Sequence, residues 1–240
     1  MMQVARWLGS SEAPLSDREG IPTGRVGAPE AETDVACGVA GPELDRKTAG
    51  IDAVEAARAR EYALLAALLA QAPDADLLHR IARLTGDATP LGLAHTALAE
   101  AATAYSADQA RDEYFELFIG IGRGELLPYG SYYLTGFLHE RPLARLRADL
   151  HRLGIERAER QSDPEDHAAI LCEIMAGLAA GKFPATPEAQ RQFFDKHLAP
   201  WIGQFFADLQ AANAARFYRS VGGVGRLFIE IETQAFALAG

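Results

Sequence analysis

The sequence predicts an all-α protein, a single helical domain of about ten helices. From residue 52 onward, apolar residues recur at three- and four-residue spacing, which is the spacing of one helix face. The same segments are rich in alanine, leucine, arginine and glutamate, which are strong helix formers. No stretch alternates polar and apolar residues as a strand would, and β-branched residues are sparse.

Composition narrows the classes of protein that this chain can be. With 240 residues, of which 49% are hydrophobic, it can bury a sizeable core in one large or two small domains. A net charge of −10 argues against nucleic acid as the main partner and favours basic ligands or peptides. Only Cys37 and Cys172 could pair, so the sequence indicates a reducing cytoplasm rather than a disulfide framework. No segment is long and apolar enough to cross a membrane.

Residues 1–50 differ from everything after them. They hold seven glycines, four prolines and a single aromatic residue, Trp7, without apolar periodicity. Such a composition does not bury enough surface to offset the entropy of ordering, so we predict a disordered extension followed by a helical domain over residues 51–240. The extension has neither the basic start and apolar run of a secretory signal nor a twin arginine.

Helix starts and stops then divide the first half of the domain. The segment over residues 52–71 has a buried stripe of Leu64, Leu65, Leu68 and Leu69, and Pro73 ends it. Cap residues predict three further helix starts, at Asp74 or Ala75, at Thr89 and at Ser106. The helix that begins after Ser106 is predicted to end at Phe118.

Residues 113–133, EYFELFIGIGRGELLPYGSYY, interrupt this helical pattern. Glycines occupy positions 120, 122 and 124, and Pro128 and three tyrosines follow within nine residues. Connecting loops are usually polar, whereas this one carries hydrophobic anchors that need a surface to pack against. Ser131 is predicted to cap a short helix that runs to Leu138.

The second half follows the same logic. Pro142 begins a helix that Gly154 closes, and residues 155–162 form a charged linker, so we predict a hinge at about residues 155–167 between two helical halves. Asp163 is predicted to cap a helix over residues 164–180, and Thr186 the next one. A final helix over residues 224–238 is predicted to bury one face, formed by Leu227, Ile231, Ala235 and Leu238.

Three motifs, in the right order and at the right separations, resemble those of the TorD/DmsD family of redox-enzyme maturation chaperones. That family's pattern is approximately Tyr-x-x-Leu-Phe-x-Gly-Pro-Gly, then Pro-aromatic-x-Ser-x-Tyr, then Glu-Pro-x-Asp-His. The matching residues are Tyr114, Leu117, Phe118, Gly120 and Gly122, then Pro128, Tyr129, Ser131 and Tyr133, then Pro164, Asp166 and His167. The resemblance extends over about residues 52–236.

The sequence departs from that pattern at three positions. Ile121 stands where proline is usual, Tyr129 where tryptophan is common, and Asp163 in place of glutamate. Only Ile121 changes the expected behaviour, because losing a proline makes the glycine loop less rigid.

The resemblance implies a cytoplasmic, non-enzymatic chaperone that needs no cofactor or metal of its own. Its client would be the catalytic subunit of a molybdopterin oxidoreductase, including a twin-arginine signal peptide where one is present. The implied client-binding residues line a groove at the hinge: Tyr114, Leu117, Phe118, Pro128, Tyr129, Ser131, Tyr133, Pro164, Asp166 and His167. Acidic groups there would meet client arginines, and the aromatic residues would hold an apolar helix. A monomer with a minor domain-swapped dimer is the expected assembly.

Other interpretations of the same residues stay open at this stage. Residues 120–124 could form a phosphate-binding loop of an all-α nucleotide-dependent enzyme or switch, although they follow a helix and not a strand. His167 could ligate a metal with Asp163, or act as an acid–base pair with Asp166. The aromatic residues, Phe118 and Tyr133 above all, could be ordinary core.

Overall fold

The computed structural model describes residues 43–156, 163–183 and 185–238, with side chains from residue 53 onward. Over these ranges the prediction of an all-α fold is confirmed, with ten α-helices and one π-helix, Phe115–Ile119, directly after the fourth. The α-helices are α1 Glu43–Ala70, α2 Ala75–Ile81, α3 Pro90–Ala104, α4 Ala107–Tyr114, α5 Gly130–Thr135, α6 Arg141–Arg152, α7 Ala168–Ala179, α8 Pro187–His197, α9 Ile202–Ala211 and α10 Phe217–Leu238.

Side-chain caps begin four of these helices where the sequence predicts them. Asp74, Thr89 and Thr186 each accept a hydrogen bond from a backbone N–H in the first turn of the helix that follows. Ser106 forms a capping box with Gln109, in which each side chain bonds the other's backbone N–H. These starts are correct because a cap is a local interaction between residues three apart.

The core lies where α1 packs along α7 and where α10 packs across α9 and α3. All four leucines of the predicted α1 stripe are buried there. A buried polar cluster joins α1, α8 and α10: Arg58 donates to Glu232 and Gln190, and Tyr62 donates to Glu232. Each of the Glu232 carboxylate oxygens therefore has a donor, although that side chain is almost fully buried.

Helix α10 is longer than predicted and buries a different face. It begins at Phe217, seven residues before Val224, and runs straight through three glycines. A Cβ at Gly225 would lie 2.3 Å from the Phe206 ring, so the glycine lets α9 and α10 approach closely. The predicted buried face is wrong, because Ile231 and Leu238 are exposed, whereas Val221, Val224, Phe228 and Ile229 are buried.

Two other predicted boundaries are also wrong. Helix α7 begins at Ala168 with His167 as its N-cap, and not after Asp163. Helix α5 begins at Gly130, so Ser131 lies inside it and does not cap it. Helix α1 is described from Glu43, whereas the periodic pattern of the sequence begins at residue 52, and the domain boundary at residue 50 stays a prediction.

Some predicted features lie wholly or partly outside the described residues. Residues 1–42 of the extension, including Cys37, and residues 157–162 of the charged linker are among these, so the hinge and the two-half division stay predictions. Within the described ranges, no helix combines the length and the apolar character that a membrane span requires.

Candidate functional site

The second and third motifs lie side by side, although more than thirty residues separate them in the chain. Tyr129 and His167 form an isolated antiparallel β-bridge. Gly130 N–H donates to the Asp166 carbonyl at 2.9 Å, and Ala168 N–H donates to the Pro128 carbonyl at 2.8 Å. These two bonds hold the starts of α5 and α7 together, because each residue lies at the first turn of its helix.

Asp166 is the buried carboxylate of this junction, with 3% of its surface exposed. Its Oδ2 accepts a hydrogen bond from Ser131 N–H at 2.7 Å, which stabilises the start of α5. No described residue donates to its Oδ1, and the neighbouring Ser131 hydroxyl also lacks a partner within the described ranges. A buried acceptor without a donor is costly, so this oxygen has spare capacity for a ligand or a water molecule.

Asp166 lies on the wall of a cavity of about 460 Å³ between α5, α6, α7 and the α8–α9 turn. Leu134, Leu146, Leu171 and Trp201 provide its apolar surface. Asp149 and His197 also line it, with 2.7 Å between His197 Nε2 and Asp149 Oδ2. Burial, with Lys196 and Arg152 nearby, lowers the pKa of His197 to about 4. Most of the cavity surface is apolar, and its charged lining consists of three basic residues, Arg145, Arg152 and Lys196, and two acidic ones, Asp149 and Asp166.

His167 is a structural N-cap. Its Nδ1 accepts a hydrogen bond from Ala169 N–H at 3.1 Å, and the backbone N–H of His167 donates to the Pro164 carbonyl. Burial lowers the pKa of His167 to about 4, against the opposing influence of Asp163 and Asp166. The ring is therefore neutral, and its Nδ1 lone pair is already used. No three metal-binding side chains cluster anywhere in the described ranges.

Tyr129 connects the central loop to the third motif. Its hydroxyl donates to Asp163 Oδ1 at 3.1 Å, and its ring meets that of His167 edge to face, with 5.0 Å between centroids. Burial and the nearby Asp163 carboxylate raise the pKa of this phenol above its ordinary value. Tyr129 is only half-buried, so one side of it remains accessible.

The first motif contributes an aromatic cluster. Tyr114 and Phe118 pack against each other and against Tyr218, with ring centroids 5.0 to 5.9 Å apart. Tyr114 also donates to the Leu69 carbonyl, and burial raises the pKa of its hydroxyl to about 12. Leu117 is completely buried. This segment therefore anchors to α1 and α10 through three of the predicted site residues.

Tyr133 lies at the other end of the junction. It donates to Asp208 Oδ2 at 3.0 Å and packs between Trp201 and Phe205. Half of its surface is buried by these contacts, which are those of a core side chain. The interpretation of Phe118 and Tyr133 as packing residues agrees with their surroundings.

The glycine loop closes the π-helix. Backbone N–H groups of Gly120, Glu125 and Leu126 donate in turn to the carbonyls of Phe115, Glu116 and Leu117. Gly120 has a φ of 60°, and a Cβ there would lie 2.2 Å from the Arg123 carbonyl oxygen. The next helix after the loop is α5, which begins at Gly130. These donors satisfy helix carbonyls and do not form a phosphate cradle.

Two carboxylates that connect distant segments of the chain could not be predicted from the sequence. Glu113 accepts backbone N–H bonds from Arg216, Phe217 and Tyr218, and so caps α10 from a hundred residues away. Glu125 likewise accepts from Asn213 and Ala214. No local signal identifies either residue, because the donors belong to a distant segment.

The ten predicted site residues fall into two groups by accessibility. Half are buried: Leu117, Pro128, Ser131, Asp166 and His167. The other half are partly exposed: Tyr114, Phe118, Tyr129, Tyr133 and Pro164. A partner could therefore touch the second group directly, whereas of the first group only Asp166 lines the neighbouring cavity.

Comparison with known proteins identifies the family of this chain. Residues 85–207 match the family model described as nitrate reductase delta subunit, a range that includes all three motifs. The chaperone protein TorD of Vibrio cholerae is 27% identical over 127 residues, covering 49% of this chain and 58% of that protein. The TorD of Aliivibrio fischeri is 25% identical over 135 residues, covering 52% and 63%.

A solved structure is also similar. It is described as a putative redox enzyme maturation protein from Archaeoglobus fulgidus, with 20% sequence identity and a TM-score of 0.47. The match covers 72% of this chain and 93% of that one. A TM-score of this size adds no argument to the assignment.

The family match and the TorD relatives confirm the resemblance seen in the three motifs. The chain belongs to the nitrate reductase delta subunit family. It spans less than two thirds of the length of the TorD proteins that it matches.

Proposed function

We propose that the protein is a cytoplasmic chaperone for the catalytic subunit of a molybdopterin oxidoreductase. It binds that subunit, including a twin-arginine signal peptide where one is present, and assists cofactor insertion before assembly or export. The relatives named as TorD chaperones and the family match support this function, as does the form of the site.

One observation carries the binding part of the proposal: Asp166, whose Oδ1 has no donor among the described residues, is one of the residues that line a mainly apolar cavity. A basic client side chain entering that cavity would donate a charge-assisted hydrogen bond to Oδ1. Its aliphatic stem would lie against Leu134, Leu146 and Trp201. The acidic balance of the whole chain, with a net charge of −10, would attract such a client from a distance.

The partly exposed aromatic residues would take the apolar part of the client. Tyr114, Phe118 and Tyr129 each keep an accessible side while the rest of the ring is held by neighbours. Preorganised aromatic side chains bind an apolar helix without losing much rotamer freedom. Pro164 lies next to Asp163, the acceptor for the Tyr129 hydroxyl, and completes this edge.

The chemistry of the site favours binding over catalysis. The Nδ1 lone pair of His167 accepts the hydrogen bond that caps a helix, and the loop glycines terminate a π-helix. Neither arrangement leaves a general base or a phosphate cradle in place. The proposal therefore includes no cofactor or metal of the protein's own, and a monomer with a minor domain-swapped dimer.

The test is co-purification of the catalytic subunit with Asp166→Asn. Asparagine keeps an acceptor for Ser131 N–H but removes the negative charge. We expect client recovery to fall roughly tenfold, and the deficit to shrink as salt is raised, because screening already weakens the charge contribution of the wild type. The matched control is Asp195→Asn on the exposed side of α8. Equal recovery by both variants would contradict the proposal.

A further inference from the structure

One face of α4 and of the π-helix that follows it is exposed from end to end. It comprises Asp108, Asp112, Phe115, Glu116 and Ile119, spaced by three and four residues. The opposite face, with Ala110, Glu113 and Leu117, is buried. The segment is therefore amphipathic, but its outer face is not simply polar.

Apolar and acidic side chains are interleaved on this outer face. Phe115 is 42% exposed and Ile119 is 54% exposed, and Ile121 just beyond them is fully exposed. Asp108 pairs with Arg111 at 2.8 Å, whereas Asp112 and Glu116 form no ion pair with any described residue. Two unpaired carboxylates thus flank a continuous apolar strip.

The backbone holds this strip outward. The π-helix inserts an extra residue per turn across Phe115–Ile119, a rare geometry that is often found at functional sites. A Cβ at Gly124 would lie 2.5 Å from the Phe118 carbonyl carbon, so the loop is pressed against the helix end. Ile121 is left at the tip of that loop, where it cannot reach the core.

From this arrangement we infer that the outer face of residues 108–121 is a docking surface for a client segment in which basic residues adjoin apolar ones. The inference rests on the proposed function and adds a surface made of residues outside the three motifs. Phe115, Ile119 and Ile121 bind the apolar side chains, and Asp112 and Glu116 pair with the basic ones. Charge complementarity selects this occupant, because an acidic or purely apolar segment leaves both carboxylates unpaired.

The surface adjoins the site already described, because Tyr114, Leu117 and Phe118 lie on the inner face of the same helical segment. A client helix held at the aromatic edge would extend across the outer face of the same helix. The two surfaces can be separated by mutation, because the outer residues are exposed whereas the inner ones are buried or partly buried. Substituting them tests binding without unfolding the protein.

The probe is a labelled synthetic peptide with paired arginines followed by a leucine-rich helix, and the readout is fluorescence anisotropy with the full chain. We expect the double variant Ile119→Ser/Ile121→Ser to weaken binding roughly tenfold. The matched control is Leu93→Ser, which removes an apolar side chain that is 60% exposed on α3. It should bind as the wild type does.

A charge reversal tests the acidic half of the surface. Asp112→Lys/Glu116→Lys should weaken the same peptide, and the loss should be smaller in high salt. Glu100→Lys, an exposed position on α3, is the control and should change the affinity little. A peptide with aspartates in place of the arginines should bind the double-lysine variant better than the wild type.

The inference is overturned if both double variants bind the peptide with wild-type affinity, or if the wild type does not bind it. It is also overturned if the apolar variants instead change dimerisation in light scattering or binding to anionic vesicles, because the occupant would then be a second copy or a membrane. If Asp166→Asn no longer co-purifies the catalytic subunit while the outer-face variants still do, the proposed function stands and only this docking surface is ruled out.

Discussion

Glu113 and Asp166 are two buried carboxylates that each stabilise the start of a distant helix, and they differ in one respect. Glu113 accepts three backbone N–H bonds at the start of α10, at 2.7 to 3.1 Å, so both its oxygens are used. Asp166 accepts one from α5 through Oδ2, and its Oδ1 has no donor among the described residues. Burial alone therefore does not distinguish the two carboxylates. The binding role proposed for Asp166 rests on its unused hydrogen-bonding capacity beside the cavity.

The largest loss of stability should come from removing Glu113, the carboxylate whose two oxygens both accept hydrogen bonds. Glu113→Ala leaves three N–H groups at the start of α10 without their acceptor, two of them buried, and we expect a stability loss of roughly 4 kcal/mol. Urea unfolding followed by circular dichroism measures it, with the exposed neighbour Asp112→Ala as the control. A loss below about 1 kcal/mol would mean that water replaces the carboxylate and that the contrast with Asp166 is false.

Lowering the pH should reduce the free energy of unfolding, because His167, the neighbour of Asp166, becomes protonated. Because the folded-state pKa of His167 is about 4, below the unfolded value, its neutral form contributes stability that is present above pH 6.5. That contribution, up to roughly 3 kcal/mol, is lost as pH falls from 6.5 towards 4. His167→Asn keeps a cap acceptor without titrating, so its unfolding free energy should fall less steeply over that window. Identical slopes for wild type and variant would contradict this.

Asp166→Asn should behave in the opposite way to Glu113→Ala. The amide oxygen can still accept from Ser131 N–H, so we expect a stability loss of only about 1 kcal/mol. Client binding should nevertheless fall sharply, because the charge is gone. Unfolding and co-purification on the same preparations separate the two readouts. A variant that loses several kcal/mol and binds normally once folded would make Asp166 a structural residue like Glu113.

The smallest expected change in stability concerns Ser131, the neighbour of Asp166 at the same junction. Ser131→Ala removes a buried hydroxyl without a described partner, so stability should change by less than about 0.5 kcal/mol. Ser106→Ala, which breaks a capping box, should cost about 1 kcal/mol and serves as the reference. If Ser131→Ala keeps its stability but binds the client less well, the free hydroxyl contacts the client.

Local interactions were predictable, and the non-local ones explain the errors. Asp74, Thr89, Ser106 and Thr186 are correct caps because cap and donor lie within three residues. Asp163 and Ser131 carry the same chemical signal, yet Asp163 bonds Tyr129 and Ser131 lies inside α5. Sequence alone does not show which partner a short polar side chain will choose when a distant segment offers one.

By itself, the sequence determined the helical class, most helix positions, the family and the identity of the motif residues, because periodicity, caps and motif spacing are properties of the chain. Tertiary structure decided which motif residues are buried and which carboxylate has an oxygen to spare. It also decided the length and inner face of α10, since Gly225 matters only where Phe206 crosses it. The physical reason is that burial and hydrogen-bond satisfaction depend on groups brought together from distant parts of the chain.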